Sequence, residues 1–339
     1  MPTDPAARRV RAARPRLRWP LAALALLLGF NFLLTPNFAA LEIKDGHLYG
    51  VLVDILNRGA MLAVVALGMT LVIATGGVDL SVGAVMAIAG AVAARLLATD
   101  GLPFPLAAAA ALGAAVAAGA WNGLLVAVFR VQPIVATLVL MVAGRGIAQL
   151  VTDGQIINFD DPAFVYLGNG FLLGLPFALT LGAGMLVLTA LLTRGTALGL
   201  FIEAVGDNET ASRYAGLDAR TVKWCAYVFC GLCAGLAGLV AAGNIKCADA
   251  NHAGLFLELD AILAVVVGGT ALTGGRFSLL GSLCGALLIQ TLATTMYMRD
   301  VSPDVAPLPK ALAVLAVCLL QSPEFRARLA APWRRRRPA

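Results

Sequence analysis

Charge is what this sequence has least of. Its 339 residues include 25 Lys and Arg, 19 Asp and Glu and two His, so 13% of the chain is charged, about half the share of an ordinary globular domain. That excludes a soluble core wrapped in polar surface. Lysine is scarcer still: none of the four (Lys44, Lys223, Lys246, Lys310) follows a glycine, so the G-x-x-x-x-G-K-[ST] cradle for nucleotide phosphates is absent. Neither His47 nor His252 belongs to an H-E-x-x-H, and no G-x-S-x-G occurs, which removes zinc-protease and α/β-hydrolase chemistry. Cys230 and Cys233 have C-x-x-C spacing, but no second ligand pair accompanies them. They lie in apolar runs with Cys225, Cys284 and Cys318, while Cys247 stands alone; all read as small apolar residues. The chain is expected to hold no metal and no cofactor, and to carry no enzyme activity of its own.

What is present is hydrocarbon. Sixty per cent of the residues are hydrophobic and the mean hydropathy is +0.87. A bilayer core takes roughly 20 helical residues to cross. Apolar runs at about 19–36, 59–76, 81–98, 105–129, 134–152, 172–193, 222–243, 258–273, 277–297 and 309–321 predict an all-α polytopic membrane protein of about ten transmembrane helices, some broken or short. Long runs, not alternation, carry the signal, which excludes a barrel.

The arginines set the orientation. "RRVRAARPRLR" and "FRARLAAPWRRRR" carry six each, so both ends are expected in the cytoplasm and the number of spans is even. The same topology places Arg130, Arg194, Arg213, Arg220, Lys223 and Arg276 inside, making 18 of the 25 basic residues cytoplasmic. The net charge of +6 is thus a topology signal and an attraction to anionic lipid, not a nucleic-acid footprint. The stretch 153–169 has three aspartates and no base, as an outside loop should. The first run is long enough to remain a helix, and "NFAA" is a poor cleavage site. The expected division is a basic arm at 1–18, a permease core at 19–321 and a basic tail at 322–339.

Helices in lipid associate through close backbone contact. Ala115, Gly119 and Gly123 in the fourth run, and Gly231, Gly235 and Gly238 in the seventh, supply the small residues for it. An internal echo joins "TGGVDLSVG" at 75–83 to "TGGRFSLLG" at 273–281. Gly76 and Gly77, like Gly274 and Gly275, let the backbone leave a helix. Paired, Gly-interrupted helices of this kind expose backbone at membrane depth in transporters. Asp79 or Ser81 can cap the helix that follows, and the break can equally border a substrate path, because irregular backbone in a membrane must be packed in protein or face water.

The longest inside connection, about 195–220, mixes Glu203, Asp207, Glu209, Arg213, Asp218 and Arg220. Asp207 or Asn208 can cap a short helix there, and Gly216 can end it in the left-handed conformation. With this loop in view, four stretches stand in a telling order: "LGMTLVIATGGVDLSVGAVMAIAGA", "QPIVATLVLMVAGRGIAQL", "EAVGDNETASRYAGL" and "LELDAILAVVVGGTALTGGRFSLLG". Over about 50–322 the chain resembles the membrane subunits of bacterial ABC monosaccharide importers. "DILNRGAM", "GQIINF" and "ADANHAGLF" place the resemblance in the ribose/galactofuranose branch.

That resemblance implies a ten-span permease driven by a separate cytoplasmic ATPase and fed by a periplasmic sugar-binding protein. It implies a second permease chain, different from this one, in the same assembly. It further implies that Glu203, Ala204, Gly206, Asn208, Ala211 and Gly216 form the loop seated on the ATPase. The importer pattern has a second Ala after Glu-Ala, where this chain has Val205 and then Gly206.

The rival reading is an ion-coupled sugar carrier, which needs titratable groups deep in the spans; Asp79, Arg145, Glu258 and Asp260 are the candidates. Arg145 is expected to pair with a carboxylate or with backbone carbonyls. Thr70, Asn122, Gln132, Gln149 and Asn244 could meet a sugar or serve as interhelical glue.

Overall fold

The computed structural model describes residues 17–44, 46–302, 305 and 307–321. The two basic arms expected at 1–18 and 322–339 lie, but for Leu17 and Arg18, outside the described residues.

Each apolar run becomes a helix. In chain order these are α1 (Arg18–Leu34), α2 (Val51–Ala74), α3 (Val82–Ala98), α4 (Phe104–Gly123), α5 (Pro133–Val151), α7 (Phe177–Arg194), α10 (Ala219–Ile245), α11 (Leu257–Val267), α12 (Leu279–Met298) and α13 (Pro307–Gln321). Three short helices fill connections: α6 (Pro162–Asn169), α8 (Leu198–Asp207) and α9 (Glu209–Tyr214). Among the described residues six helices are long and apolar enough to cross a membrane: α2, α4 with its extension to Val128, α5, α7, α10 and α12. Three boundaries differ from expectation by five residues or more, one of them the start of α7 at Phe177 and not 172, because residues 171–176 form a small hairpin. Helix α2 starts at Val51, not near 59, because Asp54 and Arg58 interrupt the apolar run without interrupting the helix. The run at 258–273 is helical only to Val267, since Gly269 adopts a φ of +94° and turns the chain out.

Helix α2 is the axis: from Gly59 to Ala74 every residue except Met61 is buried. Helices α7, α10, α11 and α12 surround it. The α4–α10 seam is built of missing side chains. A Cβ on Gly119 would lie 2.5 Å from the carbonyl of Tyr227, and one on Gly231 would lie 2.5 Å from that of Ala115. Backbones this close gain dispersion contacts that lipid cannot offer. Buried hydroxyls and amides add stitches: Thr70 Oγ1 donates to Ser282 Oγ at 2.7 Å and Asn31 Nδ2 to Thr295 Oγ1 at 2.8 Å.

The connections segregate to two ends. At one lie three two-stranded ribbons: β1 (Glu42–Lys44) with β2 (His47–Tyr49), β3 (Ile157–Asn158) with β6 (Cys247–Ala248), and β4 (Phe171–Leu172) with β5 (Leu175–Pro176). They are tied together, for example by Leu48 N–H donating to Gly174 O at 3.0 Å. At the other lie α8, α9 and the irregular segments 75–81 and 268–278.

Candidate functional site

Three chain segments meet at this second end, and glycine makes each meeting geometrically feasible. Gly76 has a φ of +80°, Gly274 +87° and Gly275 +92°, conformations that cost L-residues with a Cβ 1–2 kcal/mol or so. Gly275 N–H donates to Ala74 O at 2.9 Å, so the second echoed segment is hydrogen-bonded to the end of α2, just before the first. Gly206, near the end of α8, lies against both. A Cβ there would overlap the carbonyl oxygen of Ala74 and sit 2.5 Å from Gly275 N. A Cβ on Gly274 would lie 2.9 Å from both Gly206 O and Gly76 N. The end of α2, the end of α8 and the 273–276 turn therefore form one backbone-to-backbone junction.

Helix α8 buries Ile202 and Val205 against the bundle and keeps Glu203 and Ala204 half-buried. The chain breaks at Asn208, whose Oδ1 accepts from Ala211 N–H at 2.9 Å and so starts α9. Gly216, with a φ of +85° and open space about it, ends that turn. Ala211, Arg213 and Gly216 are exposed, and Tyr214 is 90% exposed. Glu209 anchors α9: its carboxylate accepts from Lys223 Nζ at 2.5 Å and from Arg213 Nη2 at 2.7 Å. The Lys223 hydrogen bond, more than any other influence, holds the Glu209 carboxyl below its ordinary range.

One turn of chain beyond the junction, Asp79 is buried and fully engaged. Its Oδ1 accepts from Ser81 N–H at 2.9 Å, Ser81 Oγ at 2.7 Å and Asn122 Nδ2 at 3.3 Å. Ser81 itself accepts no bond from the helix that it precedes; the Asp79 carboxylate closes a turn on Ser81, just ahead of the helix. Tyr227 Oη donates to Val78 O at 3.2 Å, and a Cβ on Gly77 would approach that hydroxyl to 2.6 Å. The TGGVDLS break is packed in protein.

The other polar candidates are held elsewhere. Arg145 Nη1 donates to the carbonyls of Ala250 and Ala253 at 2.9 and 2.6 Å, and Gln149 Nε2 to Asn251 Oδ1 at 2.7 Å. Together they clamp the 249–256 loop at the ribbon end. Asn244 Nδ2 donates to Gly168 O at 3.3 Å, and Thr70 bonds Ala66 O as well as Ser282. Thr70, Asn122, Gln149 and Asn244 thus stitch helices and loops together. Sequence reasoning passed over a second polar set, Asp54, Arg58, Gln290, Thr294 and Tyr297, which lines a groove of about 390 Å³ toward the ribbon end. Arg58 was legible as a charge, but it fell just outside the expected second span. No group of three or more His, Cys, Asp or Glu able to hold a metal ion occurs among the described residues.

A polytopic helical bundle with broken, hydrogen-bonded helix ends and an exposed helical knob is the frame of a membrane permease. The comparisons agree: a family model described as "Branched-chain amino acid transport system / permease component" matches residues 51–320, and the chain belongs to that family. It is 51% identical over 315 residues to the galactofuranose transporter permease protein YtfT of Escherichia coli (strain K12), covering 91% of this chain and 92% of the relative. It is 39% identical over 317 residues to the fructose import permease protein FruF of Bifidobacterium longum (strain NCC 2705), covering 91% and 88%. It is 38% identical over 306 residues to the ribose import permease protein RbsC of Escherichia coli (strain K12), covering 89% and 92%.

Proposed function

We propose that this chain is the membrane subunit of an ATP-driven importer that carries a galactofuranose-like or ribose-like monosaccharide across a bacterial inner membrane. The relatives are permeases of sugar import systems, which lends nothing to an ion-coupled carrier. The observation that carries the mechanism is Gly206 pressed on Ala74 and Gly275. A partner that displaces the α8–α9 knob must move the end of α2 and the 273–276 turn with it. In this reading Glu203, Ala204, Gly206, Asn208, Ala211 and Gly216 belong to the segment seated on a cytoplasmic ATPase, with Asn208 and Gly216 shaping it rather than touching substrate. The basic residues Arg130, Arg194, Arg213, Arg220, Lys223 and Arg276 fall in or beside the connections at that end, which supports placing it in the cytoplasm. The ribbon end then faces the periplasm and a sugar-binding protein. A second, different permease chain completes the assembly.

The test is a pair of glycine substitutions in the assembled importer. Gly206→Ala drives a methyl into backbone, whereas Gly216→Ala meets only conformational strain of about 1–2 kcal/mol. Uptake should fall at least tenfold for Gly206→Ala and less than threefold for Gly216→Ala, with both proteins still in the membrane. Equal uptake by the two variants defeats the junction mechanism. Sugar accumulation by the purified chain alone, with no ATPase present, defeats the importer reading.

A further inference from the structure

The groove toward the ribbon end holds charge where lipid tolerates none. Arg58 is the eighth residue of α2 and Gln290 the ninth from the end of α12, so each lies about 11 Å inside its helix at 1.5 Å per residue. Asp54 and Arg58 are both exposed, and neither makes an ion pair among the described residues. Arg58 also lines a second cavity of about 230 Å³ on the other side of α2, with Asn244 and Asp249. A guanidinium or carboxylate against hydrocarbon costs about 2.5–3.5 kcal/mol at mid-bilayer and less toward the interface, and Arg58, two turns into α2, carries more of that cost than Asp54, one turn in. This flank of α2 therefore faces water or a polar ligand.

The chemistry of the wall narrows the ligand. Lys310, at the edge of the groove, is already paired with Asp260, its Nζ 2.8 and 3.0 Å from the two carboxylate oxygens. Among the described lining residues the remaining charges, Asp54 and Arg58, are one of each sign and balance. Gln290 and Thr294 sit one turn apart on the facing helix, joined by a bond of 3.3 Å. Tyr297, 81% exposed, borders the same space. A carboxylate, a guanidinium, an amide and a hydroxyl around an aromatic ring suit a small uncharged molecule with many hydroxyls and an apolar C–H face. The volume, about 390 Å³, is at the lower end of pockets built for small molecules, which run from about 300 to 1,000 Å³.

We propose that the groove between α2, α12 and the start of α13 is a monosaccharide station on the transport path, with Asp54, Arg58, Gln290 and Thr294 meeting hydroxyls and Tyr297 meeting the sugar's C–H face. The assignment rests on the importer reading given above and adds the place where the cargo is held. Arg58 is its centre, because it borders both cavities.

The experiment uses the complete importer with its binding protein in proteoliposomes and D-galactose as the probe. Two variants are compared with the parent. In Ala293→Cys, a thiol enters the groove wall, and its labelling by a charged, water-soluble methanethiosulfonate is followed above that of the native cysteines. The station requires labelling, and D-galactose should slow it at least threefold. No labelling means that the groove faces lipid, and labelling that sugar leaves unchanged means a wet groove without cargo; either overturns the proposal. The second variant, Arg58→Lys, separates the station from a side chain that merely reaches up to the interface. Lysine reaches as well as arginine but lacks the planar fork. Uptake should drop at least fivefold with complex yield unchanged, and full uptake by Arg58→Lys overturns the role of Arg58. Parent uptake is the separate control: if the parent importer moves no monosaccharide, the importer reading itself has failed.

Discussion

Asp79 shows how a single residue can be both out of place and indispensable. A carboxylate 1% exposed in a bundle of Ala and Val is tolerable because three donors converge on one of its oxygens. Removing it strands the Ser81 N–H and weakens the hold on Asn122, whose own Oδ1 already lacks a partner among the described residues. Each buried polar group left unsatisfied costs about 1–3 kcal/mol. Asp79→Ala should therefore destabilise the protein by about 2 kcal/mol, read as a lower melting temperature in detergent, whereas Asp79→Asn keeps an acceptor in place and should lose less than half of that. Equal losses would mean that the charge, not the acceptor, matters. The sequence pointed to Asp79 or Ser81 as a cap of α3, or to a break bordering a substrate path. It offered no sign that the serine would donate to the aspartate, in a turn that bonds no N–H of the helix itself, because spacing alone does not say which of two polar side chains turns inward.

The elements were legible to the extent that composition controls them. Ten apolar runs became ten helices because burial in lipid leaves few alternatives to intrahelical hydrogen bonds. The short helix α9 was legible too, from Asn208 and Gly216, whose cap and left-handed turn are local properties. The stop of α11 at Val267 was not, because Gly268 and Gly269 follow an unbroken apolar run and only packing against α12 decides where it ends; a Cβ on Gly268 would meet the backbone of Gly281. At this scale α9 is held to α10 by Glu209, and the sign of its pH dependence follows. A carboxyl lowered from about 4.5 by Lys223 lends stability above its unfolded value, and this is lost as pH falls through the lower, folded value. Hydrogen exchange over 209–216, corrected for intrinsic rate, should be flat from neutral pH down to about 4.5 and rise below it. Glu209→Gln should abolish that rise; a rise that persists in the variant would assign it to another group.

For the whole molecule, no distance between residues 76, 206 and 274 could be read from the sequence, and their meeting is the main thing that the structure adds. The echo of TGG at 75–77 and 273–275 hinted at equivalence, yet contact between the two copies depends on how α11 and α12 fold back on α2. Orientation is the prediction at this scale. In intact cells or right-side-out vesicles, native Cys247, which lines the mouth of the smaller cavity, should react with an impermeant thiol reagent. Tyr214→Cys should react only after the membrane is opened. The reverse pattern would invert the topology. The junction has one further consequence. Soft side chains between moving parts absorb small displacements before anything downstream responds, as play does in a worn linkage. Where Ala74, Gly206 and Gly275 touch main chain to main chain no side chain lies between them to take up such play, so under the proposed mechanism a displacement of one segment bears directly on the other two.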